Sequence, residues 1–169
     1  PNLDHGRFWS PNASNIVVKD INFSVADPTK DYIWGGLRLG DGSNVLIEGS
    51  NFARGGLNIQ RMNNVAIRRS NIVDNRSIGA FFDLTNGLLL EENLFDLNGW
   101  VPGVAGRQGV THNTYINYNS QNVVVRNNIF ARGSNEGNMQ RPGGVNENNL
   151  YLKNPTGLTI GYTSAPIYG

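Results

Sequence analysis

The chain contains no cysteine, so neither a disulfide framework nor thiolate chemistry is open to it. Charge is sparse: Asp, Glu, Lys and Arg together make up 16% of the 169 residues, and the net charge is +1. That balance argues against a nucleic-acid binder relying on a strong basic face. Low charge combined with regular patterning also argues against disorder. No run approaches the roughly 18 apolar residues of a membrane span. No segment carries a sustained 3.6-residue apolar stripe, so helices beyond a turn or two are not expected. Histidine occurs only as His5 and His112. Lysine is rare, three residues against eleven arginines, and arginine is the cation that grips carboxylates and sulfates with two prongs. The chain opens on Pro1 with no starting Met and no signal-peptide pattern. It is expected to be a single domain over residues 1–169 and a portion of something longer.

What the chain has in abundance is asparagine and glycine, 26 and 21 residues. Both tolerate the left-handed backbone of tight turns. The asparagines recur in a phrase. Ser14-Asn15-Ile16-Val17-Val18-Lys19-Asp20-Ile21-Asn22-Phe23 returns as Ser43 to Phe52 and again as Asn63 to Ile72. Looser copies run over Asn86 to Phe95, Gln121 to Phe130 and Gly143 to Tyr151. The first apolar residues, Ile16, Val45, Val65, Leu88, Val123 and Val145, lie 29, 20, 23, 35 and 22 residues apart. Short strands at a period of about 20 to 30 residues signal a solenoid.

A second strand type, often opened by glycine, sits between the phrases: Gly36 to Leu39, Gly56 to Ile59, Gly79 to Phe82, Asn113 to Ile116, Gly137 to Gln140 and Gly157 to Ile160. Alternation turns Leu37, Leu57, Ala80, Thr114, Asn138 and Leu158 inward, with Leu39, Ile59, Phe82, Ile116, Gln140 and Ile160. Arg38, Asn58, Phe81, Tyr115, Met139 and Thr159 then point out. The expectation is two strands per coil and six coils. Asn22, Asn51, Asn71, Asn93, Asn128 and Asn149 close similar turns, where their amides can bond from coil to coil.

Repeats of the form N-hhh-x-x-N-x-F, alternating with G-h-x-h strands from about Asn12 to Ile160, resemble the pectate-lyase-like superfamily. The resemblance implies an all-β, right-handed, single-stranded parallel β-helix of about six coils. That superfamily holds polysaccharide lyases and hydrolases, uronan epimerases, phage tailspikes and adhesins, so the fold does not choose the activity. It does imply an extracellular or secreted protein, on a cell surface or phage particle included, whose partner is an acidic polysaccharide. No membrane, nucleic-acid, metal or cofactor role is expected.

Two intervals are long, and extra residues in a solenoid go to loops that wall its binding face. The longer one carries Trp100 and Arg107, an apolar ring for a sugar and a cation for an acidic group. Next comes Val110-Thr111-His112-Asn113-Thr114-Tyr115-Ile116-Asn117. Strict alternation puts His112 opposite Tyr115 unless the strand bends at its start. One coil later, about 4.8 Å away, Glu136 aligns with Asn113, or with His112 if the register slips by one. Arg141 and Arg132 lie at the ends of that strand. His112, Tyr115, Glu136 and Arg141 then make one polar patch, joined by Asn58, Gln60, Arg61 and Asp83 from earlier coils, and Arg38 and Asn117 are further candidates for substrate contact. Asn138 and Gln140 at inward positions break the apolar pattern there, and such breaks are commoner at functional sites.

H-N-x-Y-I followed by Q-R-P-G-G resembles β-helix enzymes acting on acidic polysaccharides, which implies roles for His112, Tyr115 and Arg141. A calcium-binding acidic cluster of the pectate-lyase kind and the D-P-H motif of alginate epimerases are both missing. Three functions stay open. A lyase would use Arg141 or Arg132 to stabilise carboxylate charge and His112 and Tyr115 to move protons. A hydrolase would need two carboxyl groups, for which Asp83 and Glu136, about 9.6 Å apart over two coils, suit inversion. A non-catalytic stalk, adhesin or carbohydrate-binding solenoid is the third. Open solenoid ends also lead to an expectation of further coils or a homo-oligomer.

Overall fold

A computed structural model describes residues 2–4, 8–24, 36–100 and 111–161. All regular structure among them is β-strand, and every strand pairing is parallel to a counterpart in the next coil. Three faces result, not pairs of strands. Numbered in chain order, the first face holds β2 (Phe8–Pro11), the start of β5 (Leu37–Glu48), the start of β7 (Leu57–Arg68), β9 (Ala80–Asp83), β12 (Thr114–Ile116), β15 (Glu136–Gln140) and β18 (Thr156–Ile160). The second holds β3 (Ser14–Lys19), the ends of β5 and β7, β10 (Asn86–Glu91), β13 (Gln121–Arg126) and β16 (Val145–Glu147). The third holds β1 (Asn2–Asp4), β4 (Asn22–Ser24), β6 (Asn51–Ala53), β8 (Asn71–Val73), β11 (Leu94–Asp96), β14 (Ile129–Ala131) and β17 (Leu150–Leu152).

This corrects the expectation of two strands per coil. The end of each phrase, Asn22–Ser24 in the first and Leu94–Asp96 in the fourth, is a strand of its own, set off by one residue of positive φ, such as Asp20 (53°), Arg69 (46°), Glu92 (57°) or Asn127 (56°). A single left-handed residue turns the chain sharply and lets extended backbone resume. Six coils stack, flanked by β1 at one end and β18 at the other. Positive φ at Asp41 (55°) and Arg61 (52°) turns β5 and β7 through the corner between the first two faces. Their ladder bonds survive the turn, which is why those faces form one sheet.

Inward positions fill with the expected apolar residues. Leu37, Leu57 and Ala80, then Leu39, Ile59, Phe82 and Ile116, are buried on the first face. Val45, Val65, Leu88 and Val123 are buried on the second. On the third, Phe23, Phe52, Ile72, Phe95 and Phe130 stack in one column, with ring centroids 4.7 Å apart for Phe23–Phe52 and 4.9 Å for Phe95–Phe130. Such spacing follows from the coil repeat and suits stacked rings.

At the sixth coil the interior becomes polar. Val145 pairs with Val124 and points out, so Asn146, opposite Val125, takes the inward position. Val145, which the repeat sets equivalent to Val123, thus stands one residue out of register. The reason lies in the partners. Asn146 Nδ2 donates to Gln140 Oε1 (3.0 Å), its Oδ1 accepts from Asn149 and from Tyr151 OH (3.1 Å), and Asn138 Nδ2 donates to Gln140 Oε1 (3.2 Å). Thr114 Oγ1 closes the set by donating to Asn138 Oδ1 at 2.7 Å. A buried amide without such partners would cost about 1–3 kcal/mol. Leu158 and Ile160 follow the inward pattern less fully, Ile160 being 48% exposed.

The buried ladder between the second and third faces runs through Ser50, Ser70, Asn93, Asn128 and Asn149. Asn93, Asn128 and Asn149 sit where expected. Asn22, Asn51 and Asn71 do not join it: they open strands of the third face, one residue beyond the ladder position. A serine does the same work in the second and third coils, since Ser50 N donates to Ser70 Oγ (3.1 Å) and Ser70 N to Asn93 Oδ1 (3.0 Å), while in the first coil Ile21 offers only its backbone N–H, to Ser50 Oγ (3.3 Å). A second ladder, Asn15, Asn44 and Asn64, lies exposed, with amide bonds of 3.0 and 3.1 Å.

The two ladders should respond differently to truncation. Asn128→Ala is expected to lower stability by about 3 kcal/mol, because it leaves several buried backbone groups unpaired. Asn44→Ala, where water replaces the lost bond, should cost no more than about 1 kcal/mol. Urea midpoints of the two variants check this. Burial, the largest influence, raises the Tyr151 pKa above the usual tyrosine value, against the lowering effect of its bonds to Asn146 and Asn138. The folded state therefore resists ionising this phenol. Stability should be retained below pH about 10 and fall as pH rises from there through the raised folded value. Tyr151→Phe should flatten that alkaline loss in pH-dependent melting.

Candidate active site

The site begins with a substitution in a third ladder, at the corner between the third and first faces. Asn75 Nδ2 donates to Asn98 Oδ1 (2.6 Å), and Asn98 Nδ2 donates to Asn113 Oδ1 (2.8 Å). Asn113 Nδ2 in turn donates to Ala131 O (3.0 Å) and Asn154 Oδ1 (3.3 Å). The fifth coil has Gly133 at that corner, and a Cβ there would lie 3.0 Å from Asn113 Nδ2. Asn113 therefore supplies the ladder amide that Gly133 lacks. Turning Asn113 inward bends the backbone just before β12.

The bend decides the site. It carries His112 to the same side as Tyr115, where the rings stack at 5.2 Å and 14°. Register settles the other alternative. Thr114 pairs with Asn138 and Asn113 N donates to Glu136 O, so Glu136 stands beside His112. His112 Nδ1 contacts Glu136 Oε2. A nitrogen and a carboxylate oxygen in such contact need a proton between them. Both are almost covered, at 2% and 7% exposure.

Arg141 follows β15 and turns onto the same face. Its Nη1 donates to Tyr115 OH (2.5 Å) and Asn117 Oδ1 (3.4 Å), and the guanidinium lies over the rings of Tyr115 and Tyr118, 5.8 and 5.2 Å from their centroids. Asn117 Nδ2 donates to Asp83 Oδ1 (3.0 Å). Phe81 also stacks on Tyr115, at 5.5 Å. Glu136, His112, Tyr115, Arg141, Asn117 and Asp83 thus form one connected cluster across three coils. Its half-exposed members are Tyr115, Asn117 and Asp83, with Tyr118 more open. Because the phenol oxygen accepts from a guanidinium, its own proton is left for another acceptor.

Other expected site residues fall elsewhere. Arg132 is not in the cluster: it forms a two-pronged pair with Asp96, Nε donating to Oδ1 at 2.9 Å, at the edge of the third face. That pairing, through hydrogen bonding first and charge second, raises its pKa above the usual arginine value. Trp100 Nε1 donates to Arg132 O (2.7 Å), which ties Trp100 to the next coil. Arg61 pairs with Asp41, and the bond holds the Asp41 carboxyl below its ordinary value. Arg38 lies over the Trp9 ring at 5.8 Å. Asn58, expected to point freely outward, is 1% exposed and accepts from Gln60 Nε2 (2.8 Å). Gln60 is opposite Asp83 and so lines the approach to the cluster. Arg107 lies outside the described residues. Tyr118 is the member that sequence reasoning missed; an exposed aromatic in an Asn-Tyr-Asn-Ser turn directly after the strand was the available signal.

A stack of parallel three-sided coils with a polar cluster on one face defines a β-helix protein. The chain matches the family described as the right-handed beta helix region over residues 9–168, and it belongs to that family. Among solved structures it is similar to a protein from Parabacteroides merdae ATCC 43184 described as a "putative glycosyl hydrolase". The TM-score is 0.55 at 11% identity, covering 92% of this chain and 81% of that one. At this identity the likeness is one of fold. No curated protein matches the chain.

Asn113→Ala should destabilise the protein by about 2–3 kcal/mol, because Asn98 and Ala131 lose buried partners. It should also release the bend, seen as a changed ring-current environment for His112 in proton NMR. Thr114→Ser, which keeps the ladder, should leave the His112 signal in place.

Proposed function

We propose that this protein acts on carbohydrate, and that it cleaves an acidic, uronate-containing polysaccharide outside the cell by β-elimination. The observation that carries the reading is the Arg141–Tyr115 bond: a cation donating to a half-exposed phenol on the outer face of a β-helix. The proton next to a carboxylate is weakly acidic, and removing it places negative charge on that carboxylate. A guanidinium fixed nearby stabilises such charge without reorganising. The phenol gives its own proton to the departing glycosidic oxygen as its oxygen takes the proton from the carbon, so Tyr115 ends the step as it began it. The C–H electron pair becomes a C=C bond as the C–O bond breaks. His112, held by Glu136 and stacked behind Tyr115, positions that ring. Gln60, Asp83, Asn117 and Tyr118 supply polar and aromatic contacts along the approach.

Hydrolysis is the second reading, raised by the glycosyl hydrolase name that the Parabacteroides merdae protein carries. It needs two working carboxyl groups. Here Glu136 is engaged by His112 and Asp83 by Asn117, which favours elimination.

Incubation with a panel of uronate polysaccharides tests both. A lyase yields the ultraviolet absorbance of an unsaturated uronate, and Tyr115→Phe should then lower kcat about 100-fold or more. Arg141→Lys should also lose most activity, since a point charge cannot replace the planar donor. New reducing ends without that absorbance, abolished by Glu136→Gln, would establish hydrolysis instead. No product from any polymer, with binding retained, would leave a carbohydrate-binding solenoid.

A further inference from the structure

The second face carries an outward pattern that the candidate site does not use. Val17, Leu46, Ala66, Leu89, Val124 and Val145 are in register through all six coils, so their side chains form one uninterrupted apolar column. Its ends are open, Val17 being 65% exposed and Val145 45%. Two residues further along each strand runs a second column: Lys19, Glu48, Arg68, Glu91, Arg126, Glu147. The charge alternates at every coil. On the other flank of the stripe lies the exposed Asn15–Asn44–Asn64 ladder, with no charge.

We infer that this face binds a second copy of the chain, antiparallel, about a two-fold axis lying along the strand direction. That operation places apolar column on apolar column and charged column on charged column, reversed. With six alternating charges, reversal matches every sign. Lys19 meets Glu147 of the copy, Glu48 meets Arg126, and Arg68 meets Glu91. The apolar column matches as well, because the small Ala66 meets Leu89 and the open Val17 meets Val145. A shift of one coil would set like charges opposite each other throughout. A parallel arrangement would lay the charged column on the asparagine ladder and Ala66 on Ala66. Charge and size together therefore select one orientation and one register.

Within one chain the alternation also pairs neighbours, as in Lys19–Glu48 (3.4 Å) and Arg126–Glu91 (2.7 Å). Those pairs account for opposite signs in adjacent coils, but not for a continuous apolar column beside them. Exposed apolar surface of this regularity marks an interaction site. The columns span about 24 Å along the solenoid and about 13 Å across. That is small against a standard interface, so the dimer should be weak, concentration-dependent and weakened by salt.

Lys19 and Glu147 provide the test, because five coil spacings prevent any contact between them within one chain. Sedimentation velocity of the full chain, from micromolar to millimolar concentration at low salt, should show reversible dimers. Lys19→Glu and Glu147→Lys should each weaken dimerisation roughly tenfold, since a two-fold dimer contains each contact twice. The double variant should recover it. Ala66→Arg, which puts a charge at the centre of the stripe, should abolish dimers while leaving the melting temperature nearly unchanged. A chain monomeric at every concentration overturns the proposal. So does a double variant no better than the singles, or association that survives Ala66→Arg.

Discussion

The side chain of Asn128 bonds in three directions at once. Its Nδ2 faces the carbonyls of Leu90 and Arg126 and Oδ1 of Asn149, while its own Oδ1 accepts from the backbone and side chain of Asn93. Bonds of this kind repeat at each coil and fix the vertical register of the stack. Backbone ladders alone would tolerate slippage wherever a strand is only three residues long. A buried amide does not, because a one-residue slip strands its donors in an apolar interior. The ladders therefore hold each corner at one place in the sequence, and the faces between corners inherit their alternation from that.

The same demand for paired amides builds the candidate site. The fifth coil offers Gly133 at the corner, and the vacant ladder position is filled from the start of β12 by Asn113. That replacement bends the chain and brings His112 alongside Tyr115 instead of opposite it. The cluster is thus a consequence of how the coil satisfies its hydrogen bonds. In the sixth coil, pairing wins over apolar burial again: Asn138, Gln140, Asn146 and Tyr151 complete one another, and Val145 is displaced outward onto the stripe of the second face.

Much of this was legible in the residues. Repetition of Asn-Val-Ala-Ile and Gly-Leu-Asn-Ile phrases revealed a solenoid, and alternation sorted Leu37, Ile59 and Phe82 inward from Arg38 and Tyr115 outward. The patch of His112, Tyr115, Glu136 and Arg141 was also visible, because equivalent positions in successive coils must lie side by side. The short strands of the third face, such as Asn22–Ser24 and Leu94–Asp96, were harder to see, since three residues between two left-handed corners look like the tail of a longer strand. Ser50 and Ser70 were missed as ladder members because asparagine lies one position away and is the commoner amide donor. Arg132 looked like part of the patch by proximity in sequence, yet Asp96 in the coil before draws its guanidinium to another face.

The architecture can be read along the chain: period, strand character and the identity of the core follow from local patterns that every coil repeats. Each departure from the repeat is set by contacts between coils. Whether His112 faces Tyr115, whether Glu136 meets it, and which cation joins them depend on one amide finding a partner in another coil. The columns of the second face are likewise set by register between coils, and no single strand displays them. Such choices rest on contacts between residues 15 or more positions apart, and a pattern read along the chain carries no record of which of several nearby partners a side chain will satisfy.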